Sequence, residues 1–173
     1  MRIVILAGGE GRRIGGGKPR RLLAGETLLD RALRIARDWS DDVLVATGES
    51  DMPGIEGPLG GVAAALALGG DVLTIPCDMP FLPADLPERL GAGREAATIA
   101  ASGGRLHPVC ALWRARAAEG LADYVATGRR SLHGFAEAVG YEAVAWEAEP
   151  IDLFFNINDE EDLARAETLL RSR

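Results

Sequence analysis

The sequence predicts an α/β fold: a mostly parallel, mixed sheet with helices on both faces. Two observations carry that prediction. Short, continuously apolar runs alternate with stretches of helical period along the first half. An antiparallel sheet with one wet face would instead alternate apolar and polar residues, so unbroken runs point to parallel strands covered on both sides. In the second half, Ser102-Gly103-Gly104-Arg105 separates two apolar runs and reads as a hairpin turn, which adds an antiparallel pair.

The elements follow in order. Residues 3–7 form a buried strand, and Thr27-Leu28-Leu29-Asp30 then opens a helix with a cap and apolar positions at 29, 32, 33 and 36. Val43-Leu44-Val45-Ala46 reads as a second buried strand. Leu59 to Leu68, alanine-rich and closed by Gly69-Gly70, reads as a second helix, followed by a strand from Asp71 to Pro76. The hairpin arms are Ala96 to Ala101 and Leu106 to Trp113. Helical patterns at 114–126 and 131–139, a strand at 141–146 and a helix at 160–171 capped by Asp159 complete the chain. No internal repeat, low-complexity tract or linker interrupts it, so the whole of 1–173 is expected to be a single domain.

Length and composition fit that expectation, with 173 residues, 47% hydrophobic and 26% charged. The N-terminal apolar run is too short for a signal-peptide core or a membrane span, which points to a cytoplasmic protein. Cys77 and Cys110 each sit in an apolar run and belong to no CxxC pair, so buried thiols are expected. Only His107 and His133 are histidines, leaving little for a His/Cys zinc site. The net charge of −7 argues against nucleic acid and anionic membrane as partners. Yet Arg12, Arg13, Lys18, Arg20 and Arg21 stand together with no acid among them between residues 12 and 21. Such a patch suits a small polyanion.

The patch lies in a glycine-rich loop between the first strand and the first helix, where exposed backbone N–H groups can cradle phosphate. A dinucleotide-binding GxGxxG laid on Gly9 and Gly11 puts Ile14 at its third glycine. A Walker A loop fails twice, with Arg12 for its first glycine and Pro19 for the Ser or Thr after Gly17-Lys18. What remains runs from Leu6-Ala7-Gly8-Gly9 through Arg12-Arg13 to Gly17-Lys18. Gly8 and Gly9 permit close backbone approach, while Arg13 and Lys18 offer charge-assisted bonds to phosphate oxygens.

A second motif brings a carboxylate. The apolar strand Val72-Leu73-Thr74-Ile75-Pro76 leads into Cys77-Asp78-Met79-Pro80-Phe81, so Asp78 falls at the carboxyl edge where ligands of open α/β sheets gather. Facing a phosphate-binding loop, Asp78 is a natural Mg²⁺ ligand, since magnesium is commonly held by one or two carboxylates plus substrate phosphates. The alternative is a turn residue bonding its own backbone. Asp51, in a polar loop before Gly57-Pro58-Leu59-Gly60-Gly61, reaches the nucleotide or faces water.

The loop resembles the signature of nucleotidyltransferases that activate sugars, isoprenoid precursors and the molybdenum cofactor. Together with Gly57-Pro58-Leu59-Gly60-Gly61, Pro76-Cys77-Asp78-Met79-Pro80-Phe81, His107-Pro108 and Phe155-Asn156-Ile157-Asn158, the chain resembles the molybdenum cofactor guanylyltransferase family over nearly its whole length. That resemblance implies one Rossmann-like nucleotidyltransferase domain, its N-terminal half binding nucleotide and its C-terminal half binding acceptor. It implies transfer of GMP from MgGTP to molybdopterin or molybdenum cofactor, releasing pyrophosphate and forming the guanine dinucleotide cofactor. Residues matching Leu6, Ala7, Gly8, Lys18 and Asp51 hold the nucleotide in that family, with Gly9 beside them. The match to Asp78 binds magnesium, and Asn156 and Asn158 lie toward the pterin, although Asn158 in this chain equally suits the start of the last helix. Transient contact with molybdenum-cofactor biosynthesis proteins or recipient enzymes goes with such a role.

Many family members have an acid where this chain has Gly17 and a polar residue where it has Ala46, and the segment from Thr47 to Gly57 is short. Rivals are a molybdopterin cytidylyltransferase or a sugar-phosphate nucleotidyltransferase. From another class comes a non-catalytic protein that binds GTP or molybdenum cofactor; joint retention of Lys18 and Asp78 weighs against it.

Overall fold

A computed structural model describes residues 1–8, 17–48 and 52–171. Its main sheet has six strands in the order β4-β1-β5-β7-β6-β8. These are β1 (Arg2–Leu6), β4 (Val43–Ala46), β5 (Val72–Pro76), β6 (Ala97–Ser102), β7 (Arg105–Trp113) and β8 (Tyr141–Trp146). β1 pairs in parallel with β4 and β5, and β6 with β8, while β7 runs antiparallel between β5 and β6. The mixed sheet expected from the sequence is therefore present, with β7 as its reversed strand. Ser102 pairs with Arg105 across the expected hairpin turn, and Gly103 and Gly104 both take positive φ, 53° and 75°. A two-residue turn of that kind matches the twist of the flanking strands and favours glycine at both central positions.

The helices are α1 (Leu28–Trp39), α2 (Pro58–Ala67), α3 (Leu86–Gly91), α4 (Leu121–Ala126), α5 (Leu132–Val139) and α6 (Glu160–Arg171). Thr27 Oγ1 accepts from the Asp30 amide at 3.0 Å and caps α1 as expected. Asp159 Oδ1 likewise accepts from the Asp162 amide at the start of α6. The stretch expected to be one helix from 114 divides into a 3-10 segment, Ala115–Gly120, and α4. Three short elements escape the sequence pattern: α3, and the two-residue strands β2 (Leu22–Leu23) and β3 (Glu26–Thr27) that form a small antiparallel ladder.

Helices cover both faces. One core unites Val4, Leu59, Val62, Trp113 and Phe135; the other, across the sheet, unites Ile3, Ile5, Leu73, Ile75, Cys110 and Phe154. A third cluster of Leu23, Leu28, Phe81, Ile157 and Ala166 seats α6 against the site end of the molecule. Both cysteines are free and buried. β4 departs from the expectation of a buried strand: it is the sheet edge, and Leu44 is 39% exposed. An apolar run does not distinguish a central strand from an edge one. Among the described residues no helix is long and apolar enough to cross a membrane.

Candidate active site

The site assembles at the carboxyl ends of the central strands. Leu6, the last residue of β1, lies in register with Ala46 of β4 and Pro76 of β5. Beyond it, the Ala7 amide donates to Ala46 O at 2.8 Å and the Cys77 amide to Leu6 O at 3.4 Å, so Leu6-Ala7-Gly8 and Asp78 leave the sheet side by side. A Cβ at Gly8 would meet Gly48 N at 3.6 Å and Thr47 C at 3.7 Å, ordinary contacts. Packing alone therefore does not demand glycine there; close approach of a ligand to the backbone would.

Lys18 enters from a 3-10 turn, Lys18–Arg20, started by Gly17 at φ 65° and held by Arg20 N donating to Gly17 O at 2.8 Å. Gly17 takes this left-handed conformation at no steric penalty, where any other residue would be strained. The Lys18 Nζ lies 2.5 Å from Asp78 Oδ2, and the two side chains are only 17% and 15% exposed. The same ammonium donates at long range to Asn156 Oδ1 at 3.5 Å and Asn158 Oδ1 at 3.4 Å. A single cation thus joins a carboxylate fixed by β5 to two amides separated from it in sequence by some eighty residues.

The other oxygen of Asp78 is informative. Oδ1 is buried and has no hydrogen-bond partner among the described residues. A buried carboxylate oxygen left unpaired is costly and calls for a cation or donor. Burial, followed by the Asp78 charge, pushes the neighbouring Cys77 thiol up to about 12, so Cys77 is no nucleophile. Among the described residues no group of three or more His, Cys, Asp or Glu side chains can hold a metal. A hard cation shared with substrate phosphates needs fewer protein ligands, and Asp78 Oδ1 has the chemistry to supply one.

A cavity of about 450 Å³ lies between Gly48 and Gly57, with Met52, Ile55 and Glu56 in its walls. It adjoins Gly8 through Gly48. Gly9, Arg13 and Asp51 lie outside the described residues. Of the two arginines after the lysine, Arg21 pairs with Glu160 at the start of α6, Nη1 to Oε1 at 2.9 Å. Arg20 is exposed.

The arrangement thus brings the backbone of Leu6-Ala7-Gly8, the Lys18 ammonium and a carboxylate with a spare oxygen together at the carboxyl end of the central strands. The family model for the MobA-like NTP transferase domain matches residues 3–140. The chain belongs to this family of nucleotidyltransferases. A molybdenum cofactor guanylyltransferase of Cereibacter sphaeroides is 41% identical over 187 aligned positions, covering 97% of this chain and 96% of the relative. One of Acidiphilium cryptum is 42% identical, covering 96% and 94%. Among solved structures, molybdopterin-guanine dinucleotide biosynthesis protein A of Archaeoglobus fulgidus superposes with a TM-score of 0.83 at 25% identity, covering 100% of both chains. Nucleotidyltransferases of this kind generally use a divalent metal.

Three residues were not among the sequence candidates for the site: Ser102, Asp152 and Phe154. Ser102 Oγ donates to Asp152 Oδ1 at 2.8 Å and lies 2.8 Å from His107 Nε2. His107 stacks on Phe154 with centroids 4.9 Å apart and planes 7° apart. Only His107-Pro108 signalled any of this, as part of a motif without an assigned role.

Proposed function

We propose that this chain transfers GMP from GTP to molybdopterin or molybdenum cofactor, releasing pyrophosphate and leaving a guanine dinucleotide cofactor. The observation that carries it is the meeting at the Lys18 ammonium of Asp78, from the nucleotide end, and Asn156 and Asn158, from the C-terminal loop. The relatives' names supply the base and the acceptor.

In this reaction an oxygen of the acceptor's terminal phosphate forms a bond to the α-phosphorus of GTP. The bond from that phosphorus to the pyrophosphate oxygen breaks in line, and pyrophosphate leaves with the electron pair. No nucleophilic side chain takes part. Lys18 and Arg13 offset charge on the phosphates, and the backbone of Leu6, Ala7, Gly8 and Gly9 orients them, so positioning and electrostatics provide the acceleration. Asp78 is the residue that would hold Mg²⁺, through Oδ1. Bound there, Mg²⁺ would supply Lewis-acid neutralisation of the phosphate oxygens.

The cavity between Gly48 and Gly57 is the proposed base site, with Asp51 as a further nucleotide contact. Asn156 and Asn158 face the acceptor, which makes the N-terminal half of the single domain the nucleotide side and the C-terminal half the acceptor side. The two free, buried thiols suit a reducing cytoplasm. Molybdenum-cofactor biosynthesis proteins or recipient enzymes are the protein partners this role would bring into transient contact.

The test is incubation of purified protein with molybdopterin, Mg²⁺ and GTP, CTP, ATP and UTP in competition, followed by identification of the dinucleotide. The expected product is the guanine dinucleotide with one pyrophosphate released. A cytosine product would defeat the choice of base, and bound nucleotide with no pyrophosphate would point to a binding protein.

A further inference from the structure

The two asparagines of the acceptor side sit in a stretch with no helix or strand of its own, between the end of β8 at Trp146 and the start of α6 at Glu160. Something other than a backbone ladder must fix them. Asp152 turns the chain: its Oδ1 accepts from the Phe154 amide at 2.9 Å and its carbonyl from the Phe155 amide at 3.1 Å. The Ile157 amide, between the two asparagines, donates to Asp78 O at 2.9 Å. The turn at Asp152 is therefore the near end of the segment, and Asp78 its far end.

The near end is moored to the β6–β7 hairpin by side chains alone. Ala100 pairs with His107 and Ser102 with Arg105, so Ser102 and His107 are diagonal neighbours on one face of the hairpin. The register jumps between Ile99, opposite Ala111, and Ala100, opposite His107, leaving Pro108 in a bulge where its missing N–H breaks no ladder bond. A serine hydroxyl has one proton. Ser102 spends it on Asp152 Oδ1, so the 2.8 Å contact with His107 requires His107 Nε2 to be the donor. The bonds converge on Asp152 Oδ1: His107 Nε2–H donates to Ser102 and Ser102 O–H to the carboxylate from one side, and Phe154 N–H donates to the same oxygen from the other. The ring of Phe154, 2% exposed, lies between His107 and Trp146, stacked on the first and edge-on to the second at 5.3 Å.

We propose that His107, Ser102 and Asp152 are positioning residues for the acceptor: through the turn at Asp152 and the clasped Phe154 they set where Asn156 and Asn158 stand relative to Asp78. This rests on the proposed function for the role of the asparagines, though not for the anchoring itself. Burial favours the neutral imidazole, which keeps the tautomer fixed by its Nε2–H donation to Ser102.

The test uses the full-length protein with Ser102→Ala, Asp152→Asn, His107→Phe, which keeps the stacked ring but loses the donor, and His107→Gln, which keeps a donor but loses the ring. Hydrogen exchange without substrates reads the anchor directly. Amides of 153–158 should exchange about tenfold faster in Ser102→Ala and Asp152→Asn, with β1 and β5 unchanged. Kinetically, KM for molybdopterin should rise about tenfold while KM for GTP stays put, and each His107 variant should fall between wild type and Ser102→Ala. Unchanged exchange at 153–158 in both Ser102→Ala and Asp152→Asn would overturn the anchor whatever the activity. Faster exchange throughout the protein, or equal loss toward GTP and acceptor, would overturn the positioning role. If wild type makes no guanine dinucleotide, the proposed function fails, and the exchange data still decide the anchor.

Discussion

Asp78 and the Asn156–Asn158 pair meet at one ammonium but are mounted in opposite ways. Asp78 follows β5, all five of whose residues are buried, between β1 and β7 in the middle of the sheet. The asparagines flank Ile157, buried in the third cluster, on a segment without a ladder of its own that is held by that side chain, an aspartate turn, the stacked Phe154 and one amide bond to Asp78 O. Backbone ladders in the core open only at high free energy, while side-chain moorings open locally at lower free energy. Under the proposed function, this contrast gives a rigid end for metal and phosphates and a more adjustable end for a bulky acceptor.

The contrast can be broken first at its rigid end. Asp78→Ala should lower kcat by about 10³-fold or more, because both the metal ligand and the Lys18 partner go. Near-normal turnover in Mg²⁺ would remove Asp78 from the mechanism. Lys18→Ala should come next, at about 10²-fold, and as the bridge between the two ends it should raise KM for GTP and acceptor alike. An effect confined to one substrate would place Lys18 at one end only.

Asn156→Ala and Asn158→Ala should each raise KM for the acceptor about tenfold and leave GTP binding by calorimetry unchanged, the cost of one hydrogen bond to a charged or polar partner. A weaker affinity for GTP would erase the distinction between the ends.

The smallest effect concerns stability and pH. Burial holds the His107 imidazole below its ordinary 6.5, with Asp152 pulling upward and Arg105 downward. On acidification the unfolded chain takes up this proton before the folded one, so the contribution is complete above 6.5 and is lost as pH falls through the lowered folded value. The melting temperature of His107→Gln should accordingly decline less steeply than that of wild type below 6.5. Parallel curves would mean that His107 is not held neutral by the fold.

Legibility in the sequence follows the same division. β1 and β5 announced themselves as unbroken apolar runs, and Ser102-Gly103-Gly104-Arg105 announced the hairpin, because those patterns depend on local chemistry alone. Asp78 was legible as the carboxylate closing such a run. β4 was misread as buried because VLVA carries no sign of edge or centre. α3 is six residues with a proline in its first turn and offers too little period to detect. The mooring of the acceptor loop was illegible for a different reason: Ser102 and Asp152 are 50 residues apart and meet only once β6, β7 and β8 are assembled. Asn156 and Asn158 were reached through family resemblance, while Gly9, Arg13 and Asp51 remain sequence assignments.

The sharpest single measurement is the binding of Mn²⁺, a paramagnetic stand-in for Mg²⁺, to the protein–GTP complex by electron paramagnetic resonance. One protein-bound Mn²⁺ per GTP complex is expected in wild type, weakened by about tenfold or more in Asp78→Asn and unchanged in Asn156→Ala. Equal Mn²⁺ affinity in wild type and Asp78→Asn would contradict a metal held at the sheet edge by Asp78.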